Sequence, residues 1–151
     1  MQNFFIETSP AEDGIIRLSG ADVNHMKNVL RMKPGELVQI QDGQGITYTC
    51  RISGYEDREA VLEILETKAA DTEQPSALYL FQGLNTGAKM EWIVQKAVEL
   101  GAAGIIPFAA GRSVVRLDEK KAEKKTVRWQ AIARSAAQQC GRAVIPEVNR
   151  P

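Results

Sequence analysis

The sequence has one histidine, two cysteines and no apolar run of membrane-spanning length, and each shortage removes a class of function. Cys50 and Cys140 lie far apart, with no second Cys or His at metal-ligand spacing. No zinc site is readable, and both are expected to be free thiols in a reducing compartment. His25 stands outside any Ser/His/Asp set and reads as a structural or surface residue rather than a general base. The longest apolar stretch, Ala102 to Ala110, contains Gly104 and Pro107 and falls far short of the ~20 residues a membrane span needs. The N-terminal Met1-Gln2-Asn3-Phe4-Phe5-Ile6-Glu7 offers neither a basic n-region nor an apolar h-region, so no signal peptide is expected. GxGxxG and P-loop patterns are absent. Together these absences predict a soluble cytoplasmic protein without a metal site.

What is present is unevenly distributed. The formal net charge is zero, but residues 1–75 hold 7 Lys/Arg against 13 Asp/Glu, whereas residues 76–151 hold 12 against 6. A balance of −6 followed by +6 suggests two units, with any polyanion meeting the second; chance clustering on solvated faces would look the same.

The first half reads as an α+β unit. Ile46, Tyr48, Cys50 and Ile52 alternate with polar residues at the period of a half-buried strand, and Asp42-Gly43-Gln44-Gly45 supplies a turn before it. Leu37–Ile40 and Ala60–Leu65 are further strand candidates. Ser19 followed by Asp22 resembles a capping box opening a helix whose Val23, Met26 and Leu30 face inward. Mostly antiparallel strands with one helix predict a small β-barrel. The polar, unpatterned Ala69–Ser76 places a boundary there, with domains over 1–72 and 73–151.

The second half reads as α/β. Leu78–Phe81 is a continuous apolar run, the pattern of a strand buried on both faces. A helix from about Gly87 carries Met90, Ile93, Ala97 and Leu100 on one face and stops at Gly101. Ile105–Phe108 is the next strand, which Pro107 would shorten or place at an edge. A long helix from about Asp118 to Gly141 has the inward stripe Ala122, Trp129, Ala133, Ala136 and Cys140. Val144-Ile145-Pro146 starts another apolar segment. A strand–helix–strand–helix–strand series predicts a parallel sheet.

Lys120, Lys121, Lys124, Lys125 and Arg128 spread over about 140° of the long helix, opposite its apolar stripe. Such a face either attracts a phosphate backbone or is simply solvated. Arg112 and Arg116 follow the second α/β strand, where open sheets collect ligands; they could grip phosphate or a base edge, or pair with a nearby carboxylate. Lys89, Glu91, Lys96 and Glu99 flank the stripe of the first helix, where Glu–Lys pairs ordinarily support the helix from the solvent side. Gly87 leaves the start of that helix without a side chain.

Five stretches, taken in order, resemble the ribosomal RNA small subunit methyltransferase E family. They are His25–Gly35 with the Asp42-Gly43 turn; Gly87–Lys96 running into Glu99-Leu100-Gly101; Ile106-Pro107 with Arg112-Ser113-Val114-Val115; Arg128–Ala133; and Gln139–Arg142 with Ile145-Pro146. The resemblance covers essentially all 151 residues. It implies an N-terminal PUA-like β-barrel that helps hold RNA, followed by the first part of a trefoil-knotted (SPOUT) α/β methyltransferase domain. It further implies S-adenosylmethionine as methyl donor, uridine N3 of 16S rRNA in the small ribosomal subunit as acceptor, and a homodimer.

That chemistry removes the N3 proton of uracil and aligns the nitrogen with a sulfonium methyl. Arg112 and Arg142 are the expected catalytic pair, stabilising a developing uracil anion. Arg31, Lys89, Lys96, Arg116, Lys120, Lys121, Lys124, Lys125 and Arg128 are expected to bind RNA. The sequence departs from the family pattern at Asn3 and Thr86, where a basic residue is frequent, and at Gln138, where a Glu is frequent. The Gly-Pro-Glu-Gly-Gly loop and the Leu-Gly-x-Arg segment of the family's cofactor pocket do not occur, so cofactor-binding residues are expected beyond Pro151 and the chain by itself is expected to be inactive. A non-enzymatic RNA-binding module or a silent subunit of the same ancestry is the competing reading.

Overall fold

Alternating apolar and polar residues commit the first half of the chain to a sheet with one buried face. The structure, a computed structural model, describes residues 1–6, 13–111 and 115–151. The chain divides into two units, Met1–Asp71 and Thr72–Pro151.

In the first unit β1 (Gln2–Phe5), β2 (Ile15–Ser19), β3 (Leu37–Gln41), β4 (Ile46–Glu56) and β5 (Glu59–Ala69) form a sheet of order β1-β3-β4-β5-β2. β1 runs parallel to β3 and the remaining pairs are antiparallel. Among the described residues β1 and β2 do not pair, so the expected barrel is an open half-barrel. The β4–β5 register shifts at Thr49/Cys50 and again at Ile52/Gly54; such bulges add local twist and bend to a sheet. Val38, Ile40, Cys50, Ile52 and Leu62 fill the concave side together with Phe4 and Met26. Each large aliphatic side chain buried there contributes about 1.5–3 kcal/mol.

The helical segment departs from expectation. α1 covers only Ala21–Asn24, and its cap is Gly20 at φ 80° with no side-chain hydrogen bond, so the Ser19/Asp22 capping box does not form. His25–Val29 continues as a π-helical turn, in which the Leu30 amide donates to the His25 carbonyl. Val23 and Met26 are buried, as the periodicity predicts, and Leu30 packs partly buried against them.

In the second unit β6 (Tyr79–Gly83), β7 (Gly104–Phe108) and β8 (Glu147–Val148) make a parallel sheet of order β6-β7-β8, with α2 (Gly87–Glu99) and α3 (Glu119–Cys140) between the strands in sequence. Two strand expectations are corrected. β6 is an edge strand, and its Tyr79 and Phe81 are 61% and 67% exposed, so the apolar run is not buried on both faces. Pro107 lies inside the central strand, opposite Gln82 of β6. The position is tolerated because of what β8 does. Ile105 accepts from the Asn149 amide, and residue 107, two further along, faces the same side. Its missing N–H would have made the next bond, and the ladder stops there.

The helix stripes are corrected in detail. α2 buries Met90, Val94, Ala97 and Val98, whereas Ile93 is only half-buried and Leu100 is exposed. α3 buries Ala122, Trp129, Ala133, Ala136 and Ala137, and Cys140 is exposed. Both helices end in left-handed glycines. Gly141 caps α3 at φ 79°, and Gly101 at φ 90° follows α2, where a Cβ would lie 2.8 Å from the Gln74 side chain.

Candidate RNA interface

α3 begins where Asp118 accepts the Lys121 backbone amide at 2.8 Å. That hydrogen bond, followed by those to the Lys121 side chain, holds the Asp118 carboxyl below the usual range. The cap fixes the phase of the first three turns and hence the arc on which the lysines stand. Lys120 and Lys124 are one turn apart and exposed, and Lys125 is half-buried on the flank. None of these three makes an ion pair among the described residues, whereas Lys121 reaches back to Asp118 at 3.0 Å.

The other expected RNA-binding residues divide by how their charge is used. Arg128 grips Glu91 with two nitrogens, at 2.7 and 3.0 Å, and joins α3 to α2. Lys96 pairs with Glu99 at 2.6 Å, a contact that, with a second from Gln95, lowers the Glu99 pKa. Lys89 at the start of α2 and Arg116 before α3 are exposed without an ion pair among the described residues. Arg31, in the first unit, is exposed at φ 55°. Among the described residues the unpaired positive charge of the second unit therefore rests on Lys89, Arg116, Lys120, Lys124 and Lys125.

Of the two expected catalytic residues, Arg112 lies outside the described residues. Arg142 is placed otherwise than a uracil-facing group would be. It is 6% exposed, its Nη1 donates to the carbonyls of Val98 and Ala102 at 3.0 and 2.9 Å, and its Nε and Nη2 both donate to Glu73. With its nitrogens engaged inside the unit, Arg142 ties the end of α2 to the residues after α3. Glu73 gave no signal in the sequence, because it sits in a polar stretch without period. Its neighbour Thr72 accepts the Ala143 amide at 3.1 Å and completes the same tie.

Three positions were expected to depart from the family pattern. Thr86 is the exposed cap of α2 without a side-chain hydrogen bond, Gln138 is half-buried on α3, and Asn3 pairs in register with Gln39. At the carboxyl end of β6, the Gln82 and Asn85 side-chain amides both donate to the Gly83 carbonyl, and the Leu84 amide donates to Phe108. The described residues include no helix long and apolar enough to cross a membrane and no group of three or more potential metal ligands.

The chain thus holds a half-barrel unit and, after it in sequence, a parallel α/β unit with a lysine-bearing helix, and comparison with known proteins assigns both. The family described as RNA methyltransferase domain matches residues 72–151, and the RNA methyltransferase PUA domain matches residues 18–65. The chain belongs to this RNA methyltransferase family. It is 38% identical over 151 residues to the ribosomal RNA small subunit methyltransferase E of Bacillus subtilis, covering 98% of this chain and 59% of that protein. The protein of the same name from Mycobacterium bovis is 28% identical over 146 residues, with coverages of 97% and 55%. The crystal structure of the Neisseria gonorrhoeae ribosomal RNA small subunit methyltransferase E bound to S-adenosylmethionine superposes with a TM-score of 0.87 at 36% identity, over 99% of this chain and 62% of that one. The chain thus spans about three-fifths of the length of these relatives.

Proposed function

We propose that this chain is the RNA-holding portion of an S-adenosylmethionine-dependent methyltransferase that acts on uridine N3 of 16S rRNA in the small ribosomal subunit. The observation that carries the reading is the set of unpaired lysines on α3, placed by the Asp118 cap on a helix of an RNA methyltransferase unit. The names of the relatives supply the substrate class and the methyl donor. A trefoil-knotted SPOUT domain, a homodimer and a cytoplasmic location belong to the same proposal and rest on family membership.

Lys120, Lys124 and Lys125, with Lys89 and Arg116, would meet phosphates, and Lys121 would join them by leaving Asp118. In this reading Arg112 stabilises the uracil anion as the N3 proton leaves, and Arg142 acts only by holding the unit together. Gln82 and Asn85 each give one amide hydrogen to the Gly83 carbonyl at the end of β6, and in this reading the 151 residues hold no adenosine pocket by themselves. Saturable S-adenosylmethionine binding by the 151-residue chain in calorimetry would contradict this.

The test of the RNA face is a salt titration. Replacing Lys120, Lys121, Lys124 and Lys125 with Ala should weaken binding to every RNA. It should also reduce the slope of log K against log salt by up to about 3, four contacts at ~0.7 each for a single strand. An unchanged slope would make the face an ordinary solvated helix. In a full-length protein carrying these residues, Arg112→Ala should lower methyl transfer to small-subunit particles more than it lowers binding; normal turnover would remove Arg112 from the site.

A further inference from the structure

A second place in the molecule has the character of a ligand site, and it is built differently from the lysine face. In the first unit a cavity of about 300 Å³ lies between the π-helical segment and the β4–β5 hairpin end. Asn24, Lys27 and Asn28 line one wall, and Tyr55, Asp57 and Arg58 line the other. The Tyr55 hydroxyl donates to the Met32 carbonyl at 3.0 Å, which fixes its ring, and the Lys27 ammonium stands 5.6 Å from the ring centroid. Asn28 donates one amide hydrogen to the Asn24 carbonyl oxygen. That bond orients both amides. Among the described residues that bond leaves the Asn24 side-chain NH₂ as a donor and the Asn28 side-chain oxygen as an acceptor, both on residues that line the cavity.

Charge separates this cavity from the α3 face. Lys27 and Arg58 are offset by Asp57 and Glu59, and Glu59 is itself 3.7 Å from Arg17. A balanced lining gives little general attraction for a phosphate backbone, so recognition here must come from shape and directed hydrogen bonds. An adjacent donor and acceptor beside an aromatic ring match the edge and the face of an unstacked base, the way single-stranded RNA is read. A volume of this size is at the lower bound for small-molecule pockets. Two backbone irregularities border the cavity: the π-helical turn, of a kind often found at functional sites, and Asp57, held at φ 49°.

We propose that this cavity receives one unstacked nucleobase of the RNA, its edge read by Asn24 and Asn28 and its flanking phosphate met by Lys27 or Arg58. The proposal rests on the reading of the chain as RNA-binding and assigns base discrimination to the half-barrel, leaving salt-dependent affinity to α3.

The experiment titrates the 151-residue chain with UMP, CMP, AMP and GMP, and with ribose 5-phosphate as the probe that lacks a base, following ¹H–¹⁵N resonances that include the Asn24 and Asn28 side-chain amides. Expected are saturable shifts of those amides by at least one nucleotide, a spread among bases of about tenfold, as for a single polar base contact, and no shift with ribose 5-phosphate. The exposed pair Asn24→Ala/Asn28→Ala should abolish the spread while the remaining spectrum stays folded. Equal shifts with ribose 5-phosphate, an unaltered spread in the double variant, or no saturable shift with any nucleotide would each overturn the proposal. Alanine at Lys120, Lys124 and Lys125 should leave the mononucleotide titration unchanged, so failure of the lysine-face reading and failure of this one are seen in separate assays.

Discussion

Replacing Arg142 tests the tie that the second unit is built around. Arg142→Ala removes two hydrogen bonds to backbone carbonyls and a two-nitrogen grip on Glu73, all from a side chain that is 7% exposed. Hydrogen bonds with a charged partner contribute about 1.5–3 kcal/mol each, and breaking a buried pair by deleting one partner costs about 3–5 kcal/mol. The Glu73 side chain is 32% exposed, so water recovers part of its loss, and we expect ~3–4 kcal/mol in total. Glu73→Gln keeps the shape and leaves the two hydrogen bonds that Arg142 donates to the Val98 and Ala102 carbonyls intact, and should cost ~1–2 kcal/mol on the same scale. Both tryptophans, Trp92 and Trp129, lie in the second unit, and Trp129 is 2% exposed. Urea unfolding followed by tryptophan fluorescence therefore reports that unit alone. With a slope of about 1 kcal/mol per molar urea for a unit of this size, the Arg142→Ala midpoint should fall by roughly 3 M, or the unit should be unfolded at the start. A shift below about 0.5 M would mean that water replaces these contacts without loss, and that Arg142 is available for a different role.

Two further outcomes follow from the titrating groups. Burial pushes the Cys50 thiol up to about 12, while Cys140 is exposed. At pH 8 a thiol reagent should modify one cysteine in the native protein and two in denaturant, and native-state labelling of Cys50 at a comparable rate would contradict its burial. The folded pKa of Asp118 is depressed, chiefly by the Lys121 amide. Its contribution is thus fully present above the ordinary carboxylate pKa near ~3.9 and is lost as pH falls through the lower folded value. Circular dichroism of wild type against Asp118→Asn should show the difference in helix signal shrinking below pH ~4; a difference independent of pH would remove the charge from the cap.

Local chemistry in the sequence was enough to place α3. Asp118, Gly141 and the spacing of Ala122, Trp129, Ala133 and Ala136 each act within a turn or two of the helix, so no distant residue was needed to set its ends or most of its buried stripe, although Ala137 is buried where Cys140 was expected. The lysine arc follows from that stripe by geometry. The strand–helix alternation of the second half and the period-two face of β4 from Tyr48 to Ile52 were legible for the same reason, whereas at the start of that strand Ile46 is exposed and Thr47 buried.

Where a residue's environment depended on a remote partner, the sequence was silent or misleading. Met90 and Ala97 fit two adjacent arcs of α2, and its tertiary packing, including that against α3, buried Val94 and Val98 rather than Ile93 and Leu100. The apolar run at β6 describes a strand but not its place in the sheet, and the strand order put it at an edge with Tyr79 and Phe81 uncovered. Arg142 and Glu73 are 69 positions apart, and the facing walls of the half-barrel cavity come from segments separated by the whole of β3 and most of β4. Periodicity records the pitch of a segment and its own apolar face; which segments meet is decided by the path of the chain between them, and that is a property of the tertiary structure alone.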